Sequence, residues 1–416
     1  MQNLSLGNKA FRLASRSTKW ENLLHYRSDL DYKLAQKLRD SQNPAKIDLG
    51  IESLVDGEGQ VSTFPSVLEA YTRIVNNMTD MEYGHVSGNT KFLHQANKIL
   101  YGDKSRLLAD EKVASVQLNS GSQAYSLAIL MIKSWWPHKN PQVFTTNLTW
   151  PVHDAVLQDH GMEPKKLPYY NSETKSLDFE RMCETLSSAP ENSVVVLQGC
   201  AHNPTGVDPT PEQWKTLAQI FVRKRHFALF DMAYQGLASG DLQSDNLVLK
   251  IWEQNNLEFA VAQSFSQSMN ICGNKLGVFS LACETKKEAQ SVQSQIEVLT
   301  RCVSGVSPRL AAEVGVCLLE DPKLKANWMQ ELKAKVLLAK QNKQRLVQSL
   351  AGFGCDWSDK THQNGLFAYT GLHPHLSEAL ADKFDIYLGP NTRIDLTVLK
   401  PSQIEYVAKG LSSVTN

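Results

Sequence analysis

The sequence has no apolar run that could cross a membrane and no excess of charge. A membrane-spanning helix needs about 20 consecutive apolar residues, and the best candidate, residues 125–136, is short and is interrupted by Lys133. We therefore expect no membrane span. The 43 Lys and Arg residues balance the 43 Asp and Glu residues. Bulk charge thus gives no reason to expect nucleic acid or an anionic membrane surface as a partner.

Close pairs of cysteines are also missing. The seven cysteines lie far apart, form no Cys-x-x-Cys pair and have no regularly spaced histidines beside them. This distribution indicates neither a zinc site nor a disulfide framework. We expect no metal and a reducing compartment.

Acidic residues are missing from the first twenty positions, where Lys9, Arg12, Arg16 and Lys19 stand among several serines before Glu21. This composition is typical of a mitochondrial transit peptide and equally of a frayed basic N-terminus. Residues 1–20 are therefore interpreted as an N-terminal extension, either a transit peptide or a basic tail. The first reading predicts the mitochondrial matrix, and the cytoplasm is the alternative.

Between residues 113 and 283, short β-rich runs alternate with longer amphipathic stretches. The predicted strands are VASVQLN (113–119), QVFTT (142–146), SVVVLQG (193–199), FALFD (227–231), FAVAQSF (259–265) and GVFSLAC (277–283). Such alternation is typical of a mainly parallel sheet covered by helices. A chain of 416 residues is long enough for a large domain and a smaller one.

Two helices are predicted with clear boundaries. Residues 210–225 have proline at the start, acid in the first turn and base in the last turn. The stretch after Pro322 has helical spacing of apolar residues up to Leu350 and predicts a long helix that leads into a C-terminal small domain. We accordingly predict an N-terminal arm with part of the small domain at 21–60, a large domain at 61–321, and the linking helix with the small domain at 322–416.

Polar residues follow several predicted strands, at the edge where α/β sheets bind ligands. Ser120, Gly121 and Ser122 open a helix and could hold a phosphate, although Ser-Gly-Ser is also an ordinary helix cap. Asp231 ends a strand where it would be half-buried, so it either faces a cation such as a cofactor's pyridinium or caps the next turn. Asn203 either takes part in a site or satisfies its own loop.

Three longer motifs occur in a recognisable order: CAHNPTGVDPTPEQW (200–214), LFDMAYQGLASGD (229–241) and AQSFSQSMNICGNKLG (262–277). Together with EYGHVSG (82–88), NSGS (119–122) and NTRIDL (391–396), they closely resemble the class I aminotransferases, and aspartate aminotransferase of the mitochondrial type in particular. The resemblance runs from about residue 20 to the C-terminus. It implies the α/β fold of fold-type I pyridoxal-phosphate transferases, with a mainly parallel seven-stranded sheet in the large domain and a smaller α/β domain built from both chain ends.

The resemblance implies a nearly complete pyridoxal phosphate cradle. Trp150 matches the ring that stacks on the pyridine, with His153 behind the pocket, and Asp231 matches the partner of the ring nitrogen. Asn203 and Tyr234 match the groups that hydrogen-bond the phenolic oxygen. The expected phosphate contacts are Ser120, Gly121, Ser122, Ser264, Lys275 and, from the other subunit, Tyr83. The resemblance therefore also implies a homodimer with shared sites.

The substrate side is implied in the same way. Arg393 matches the arginine that binds an α-carboxylate, and Arg301 matches the arginine that the neighbouring subunit directs at a side-chain carboxylate. Phe367 fits its place in the small domain.

The chain departs from the family pattern at the residue that carries the chemistry. Gln267 stands where the family has the lysine that attaches the cofactor and moves the substrate proton. A glutamine amide is neither a nucleophilic amine nor a usable base. Lys275 stands in place of an arginine, and Glu52 in place of a glycine beside the substrate carboxylate. Glu52 would repel that carboxylate and could pair with Arg393 instead.

Further departures are Leu54 and Cys272 in place of tyrosines and Gln198 in place of a histidine. Several changes in one pocket favour a dimeric pseudoenzyme with a structural or regulatory role, in which transamination has been lost, within a mitochondrial assembly of other proteins. One alternative is an enzyme that acts on an amino acid or oxo acid with non-covalent pyridoxal or pyridoxamine phosphate. Another is an active enzyme whose natural lysine was exchanged for Gln267. Pyridoxal phosphate is thus expected either non-covalently or not at all.

Overall fold

The structure of the protein is a computed structural model that describes residues 30–50, 55, 62–138 and 141–415. These residues form an α/β fold with a mixed, mostly parallel central sheet flanked by helices, which confirms the expected fold class. The N-terminal extension at 1–20, Glu52 and Leu54 lie outside the described residues. The division of the chain into domains stays a prediction.

The helices and strands follow one another along the whole described chain. The helices are α1 (Leu30–Asp40), α2 (Pro65–Asn77), α3 (Thr90–Tyr101), α4 (Arg106–Ala109), α5 (Gly121–Trp135), α6 (Pro151–Asp159), α7 (Phe179–Ser188), α8 (Pro211–Lys224), α9 (Leu247–Gln254), α10 (Lys286–Ser304), α11 (Arg309–Glu320), α12 (Pro322–Gly352), α13 (Pro374–Phe384) and α14 (Ile404–Thr415). The strands are β1 (Ile47–Leu49), β2 (Val113–Leu118), β3 (Val143–Thr146), β4 (Pro164–Leu167), β5 (Tyr170–Asn171), β6 (Ser176–Leu177), β7 (Val194–Gln198), β8 (Phe227–Met232), β9 (Phe259–Ser264), β10 (Gly277–Ala282), β11 (Phe367–Tyr369), β12 (Ile386–Leu388) and β13 (Arg393–Asp395). Short 3-10 turns lie at Ser358–His362, Pro390–Thr392 and Pro401–Gln403.

The central sheet has seven strands in the order β2-β10-β9-β8-β7-β3-β4, and β10 is antiparallel to both of its neighbours. All six predicted strands are present in it. Strands β7 and β9 are buried along their whole length, because helices cover both faces, and this explains their continuous apolar sequences. Strand β4, an edge strand that carries two exposed lysines, was not among the predicted strands.

The two predicted helices are confirmed. At the start of α8 the hydroxyl of Thr210 accepts from the backbone N–H of Gln213, and the Gln213 side chain accepts from the backbone N–H of Thr210, which forms a capping box. Helix α12 is 31 residues long, with Asp321 capping its first turn, and it packs against α2, α11 and α14. In the part of the chain that the structure describes, no helix is long and apolar enough to cross a membrane.

The topology brings the ends of the parallel strands to one edge of the sheet. Gln198, Asp231 and Ser264 stand at or near the carboxyl ends of β7, β8 and β9, and Gln198 is in register with Asp231. Strand β2 runs in the same direction and delivers the chain to the N-terminus of α5. Backbone N–H groups of α5 and side chains of three strands therefore meet at this edge.

Candidate active site

A cavity of about 320 Å³ lies at the carboxyl edge of the sheet. The structure places ten of the predicted site residues around it: Ser120, Gly121, Ser122, Trp150, Asn203, Asp231, Tyr234, Ser264, Gln267 and Lys275. Cys272 lines it as well, together with Ala233 and Ser266, which the sequence analysis did not single out. Both are sequence neighbours of predicted residues, and that adjacency was the available signal.

One wall of the cavity is suited to an anion. Ser120 caps α5, since its hydroxyl accepts from the backbone N–H of Gln123 at 3.1 Å, and the first N–H groups of a helix lack intrahelical partners. A Cβ at Gly121 would lie 2.8 Å from the Cβ of Ser264, so a side chain there would close the wall. Hydroxyls, helix N–H groups and the Lys275 ammonium together form a setting that fits a phosphate group.

Asp231 is oriented by the residues behind it. Its Oδ2 lies 3.0 Å from Nε2 of His153, and Nδ1 of His153 lies 2.8 Å from the hydroxyl of Thr149. His153 is fully buried, and the Asp231 side chain is 11% exposed. An imidazole that accepts from Thr149 and donates to Asp231 satisfies both contacts. One carboxylate oxygen is thereby fixed, while the side chain still faces the cavity, where a protonated ring nitrogen would be a suitable partner.

Asn203 is held from three sides. The Gln198 amide donates to the Asn203 carbonyl at 2.8 Å and accepts from the Asn203 N–H at 2.7 Å. An Arg393 Nη1–H donates to Oδ1 of Asn203 at 2.7 Å, and the Asn203 amide donates to the hydroxyl of Tyr234 at 3.4 Å. The peptide bond that follows, to Pro204, is cis. The Asn203 amide is thus presented to the cavity in one orientation.

Burial keeps the neighbouring polar groups neutral. Burial, together with the charges of Asp231 and Asp395, raises the pKa of Tyr234 far above its ordinary value, so its hydroxyl keeps its proton and can donate. Burial lowers the pKa of His202 to about 3. His202 stacks on Tyr169 with ring centroids 4.2 Å apart and supports the loop that carries Asn203 as a neutral ring.

Arg393 and Phe367 do not line the cavity themselves but lie directly beside residues that do. The Arg393 guanidinium carbon is 4.2 Å from the centroid of the Phe367 ring, and the Phe367 ring meets the Tyr234 ring at 5.6 Å. Arg393 is 3% exposed. A buried, ring-stacked guanidinium beside a cavity is suited to binding a carboxylate.

Gln267 lies in the turn after β9 and projects into the cavity wall. The Ser264 hydroxyl donates to Oε1 of Gln267 at 3.0 Å. The amide therefore accepts a hydrogen bond from a hydroxyl that was predicted to contact phosphate.

Two predicted site residues do not reach the cavity in a single chain. Tyr83 is 89% exposed, and Arg301 is also exposed, so the chain's own fold brings neither to the cavity. Glu52 lies outside the described residues, and its predicted effect is untested.

Two buried groups of opposite charge, Lys335 and Asp395, influence each other near the cavity and were not predicted from the sequence. Burial lowers the pKa of Lys335 on α12, and burial raises the pKa of Asp395 to about 6, while each charge partly offsets the other's shift. Lys335 also lies near Cys272. The available signal was the position of Lys335 among the buried residues of α12, between Leu332 and Ala339.

Within the described ranges, no group of three or more His, Cys, Asp or Glu residues could hold a metal ion.

The chain resembles known aminotransferases in its sequence and in its fold. The family model of aminotransferase class I and II matches residues 44–411. The chain is 32% identical over 418 residues to the mitochondrial aspartate aminotransferase of Dictyostelium discoideum, covering 100% of this chain and 98% of that protein. It is 34% identical over 405 residues to the mitochondrial aspartate aminotransferase of Arabidopsis thaliana, covering 97% and 94%. A crystal structure of the aromatic-amino-acid aminotransferase from Burkholderia pseudomallei, covalently bound to pyridoxal phosphate, superposes with a TM-score of 0.91 at 26% identity over 96% of this chain and 100% of that one.

The fold and the matches together define the class of protein. The chain belongs to the class I and II aminotransferases and has their fold-type I architecture. Membership implies pyridoxal phosphate, and the anion-binding wall, the fixed Asp231 and the Asn203–Tyr234 pair fit that group. Within the family, the chain is an aspartate-aminotransferase-like protein.

Proposed function

We propose that this chain is a homodimeric aspartate-aminotransferase-like pseudoenzyme that can hold pyridoxal phosphate only non-covalently and serves a structural or regulatory role. Gln267 carries the proposal, because the family motif has its cofactor-attaching lysine at this position. Among the residues that line the described cavity, Lys275 alone has an amine. It lies on the exposed turn before β10, beside the phosphate-type wall.

The chain's own residues retain the means to hold the cofactor. Ser120, Ser122, Ser264 and Lys275 would take its phosphate, and Trp150 would cover its ring. Asp231 would keep a proton on the ring nitrogen, while Asn203 and Tyr234 would donate to the phenolic oxygen. When bound, pyridoxal phosphate supplies an electron-accepting ring and an aldehyde.

Proton transfer at the substrate carbon is the function that the pocket has lost. A Gln267 amide has no basic lone pair at neutral pH, so it cannot remove the proton. Positioned acid–base catalysis typically contributes a factor of about 10²–10⁴ in rate. Binding without this step would leave a site that holds cofactor and carboxylate but turns over slowly.

The exposed face around Tyr83 and α10 supports the homodimer. Met81 and Tyr83 are each 89% exposed, and Val298 and Val303 on α10 are 55% and 51% exposed. Exposed apolar side chains of this kind are stabilised when a second subunit covers them. In such a dimer, Tyr83 and Arg301 would complete the partner's cavity. The basic N-terminus and the names of the relatives favour a mitochondrial location, where other proteins would be the partners.

The retained substrate side favours one further candidate function. Arg393 remains buried, stacked on Phe367 and bonded to Asn203, an arrangement suited to a carboxylate. This supports an enzyme that acts on an amino acid or oxo acid with non-covalent pyridoxal or pyridoxamine phosphate.

The first test is a titration of the purified protein with each form of the cofactor, followed by absorbance and thermal unfolding, with a coupled assay of aspartate and 2-oxoglutarate. Ligand at about 100 times its Kd stabilises a fold by about 2.7 kcal/mol. We expect saturable stabilisation without robust transamination. Robust transamination would overturn the pseudoenzyme. Absence of binding of either form at high micromolar concentration would remove the cofactor from the proposal and would dismiss the enzyme alternative.

A further inference from the structure

A second and larger cavity lies at the opposite edge of the central sheet. Its volume is about 700 Å³, within the roughly 300–1,000 Å³ typical of small-molecule sites. Asn192 precedes β7, Phe227 begins β8, Glu258 precedes β9, and Leu281 lies near the end of the antiparallel β10. No residue lines both cavities, so a ligand here would not contact the candidate active site.

The walls of this cavity are aromatic and contain unpaired donors and acceptors. Trp135 and Trp136, at the end of α5, line it together with Phe227, and the Trp136 and Phe227 rings meet at 5.3 Å. His226 also lines it and is 3% exposed. Within the described ranges, neither Nδ1 of His226 nor Nε1 of Trp136 has a hydrogen-bond partner, although both atoms are buried. Buried polar atoms without partners are uncommon in folded proteins, and a bound molecule is one explanation for them.

The charge at one end of the cavity is negative. Glu258, Glu284 and Glu288 line it, and none of the three forms a salt bridge with a lysine, arginine or histidine of the described chain. Arg225 is the one lysine or arginine in the described lining. Three carboxyl groups at one end of a cavity with tryptophan walls suit an organic cation.

We propose that this cavity binds an organic cation with an apolar body, of the arylalkylammonium class. The ammonium would lie against the carboxylates of Glu258, Glu284 and Glu288, and the apolar body against Trp135 and Trp136. Tryptophan faces attract cations as well as apolar groups, so both parts of such a ligand are recognised by the same walls. A neutral or anionic molecule of the same shape cannot make the attractive charge interaction with the three glutamates.

Glu258 makes this site sensitive to pH. Its pKa is raised to about 7 by burial and by the charge of Glu288, with which its carboxyl group shares a hydrogen bond. The other titratable or charged side chains that line the cavity are Glu284, Arg225, His138 and His226. A carboxyl group that loses its proton as the pH rises through about 7 gains attraction for an ammonium. Affinity for the cation therefore increases from about pH 6 to about pH 8.

The test uses phenethylammonium as the probe, with phenethyl alcohol and hydrocinnamate as its neutral and anionic counterparts. Binding to the full chain is measured by calorimetry and by tryptophan fluorescence. We expect saturable binding of the cation that weakens by roughly tenfold or more in the Glu258→Gln/Glu288→Gln double variant, because a charged partner is lost. Glu405→Gln, an exposed change on α14, is the matched control and should leave affinity unchanged.

Trp135→Ala provides a separate test of the aromatic wall. Trp135 is 43% exposed, so its removal should not unfold the protein, and it should weaken the cation by several-fold. The glutamine substitutions remove repulsion between like charges, so the folded state should survive them. The proposal is overturned if the alcohol binds as tightly as the cation, if the double variant binds normally, or if no saturable binding occurs.

Discussion

Gln267→Lys tests most directly whether Gln267 occupies the position of the family's cofactor-attaching lysine. The substitution puts an amine in the turn after β9, where the amide now accepts from the Ser264 hydroxyl at 3.0 Å. We expect the variant to retain pyridoxal phosphate covalently after borohydride reduction, whereas the unaltered chain should release it on denaturation. We also expect transamination of aspartate to rise, because an amine can move the substrate proton.

The expected gain can be bounded. A positioned acid–base group is worth about 10²–10⁴ in rate, which corresponds to about 2.7–5.5 kcal/mol of activation free energy. The exchange also removes the hydrogen bond from Ser264, at a cost of about 1 kcal/mol of stability. The Ser264 hydroxyl can then contact phosphate without giving up a hydrogen bond to Gln267. A gain near the low end of this range is expected if Glu52 disfavours the substrate carboxylate.

The matched control is Gln267→Arg, which adds charge at the same position without a nucleophilic amine. Intact mass after reduction reports covalent attachment, and a coupled assay reports turnover at saturating aspartate. If the lysine variant shows neither covalent retention nor a rate above that of the arginine variant, Gln267 does not stand in the lysine's place. If the lysine variant recovers the rate of an ordinary enzyme of this family, the pocket has not drifted, and Gln267 is the single defect.

Gly121→Ala should weaken pyridoxal phosphate by roughly tenfold in a fluorescence titration, since the new methyl would lie 2.8 Å from a neighbouring side-chain carbon; unchanged affinity would remove the phosphate from this wall. His202 has a pKa lowered to about 3 by burial, so its contribution to stability is present above about pH 6.5 and declines as the pH falls. The urea-derived free energy of unfolding should drop by about 2 kcal/mol from this group at about pH 5, and His202→Gln should show a shallower decline. Val298→Lys/Val303→Lys should shift the protein from dimer to monomer in light scattering, whereas Leu337→Lys, 54% exposed on α12, should not; a dimer that persists in the double variant would place the interface elsewhere.

Much of the fold could be predicted from the sequence, because its strongest signals are local. Continuous apolar runs such as that of β7 occur where both faces of a strand are buried. The start of α8 is indicated by Pro211 and by the acidic Glu212 in its first turn. The edge strand β4 gave no such signal, since it is short and half of it is exposed. An edge strand is stabilised by one neighbour and needs no apolar pattern of its own.

Most of the residues that line the candidate site were predicted from the sequence, but several contacts around it were not. Motifs after the strands named most of the residues that line the cavity, because the carboxyl ends of parallel strands meet at one edge whatever the rest of the chain does. The electrostatic interaction of Lys335 with Asp395 was not predicted, since each residue lies in a different element and only packing brings their charges together. The contact between Gln198 and Asn203 was also not predicted, because it too depends on tertiary packing. The double hydrogen bond between these two residues depends on a loop returning over the end of β7.

The sequence by itself determined the class of the protein, which segments along the chain form its main strands, and the absence of lysine at position 267. These are properties of the residues and of their local spacing. The tertiary structure alone decided that Arg393 stacks on Phe367 beside the cavity, that Ser264 donates a hydrogen bond to Gln267, and that a second cavity lined by three glutamates lies at the far edge of the sheet. Contacts between residues distant in the chain depend on how the elements pack, and a single sequence does not record that packing.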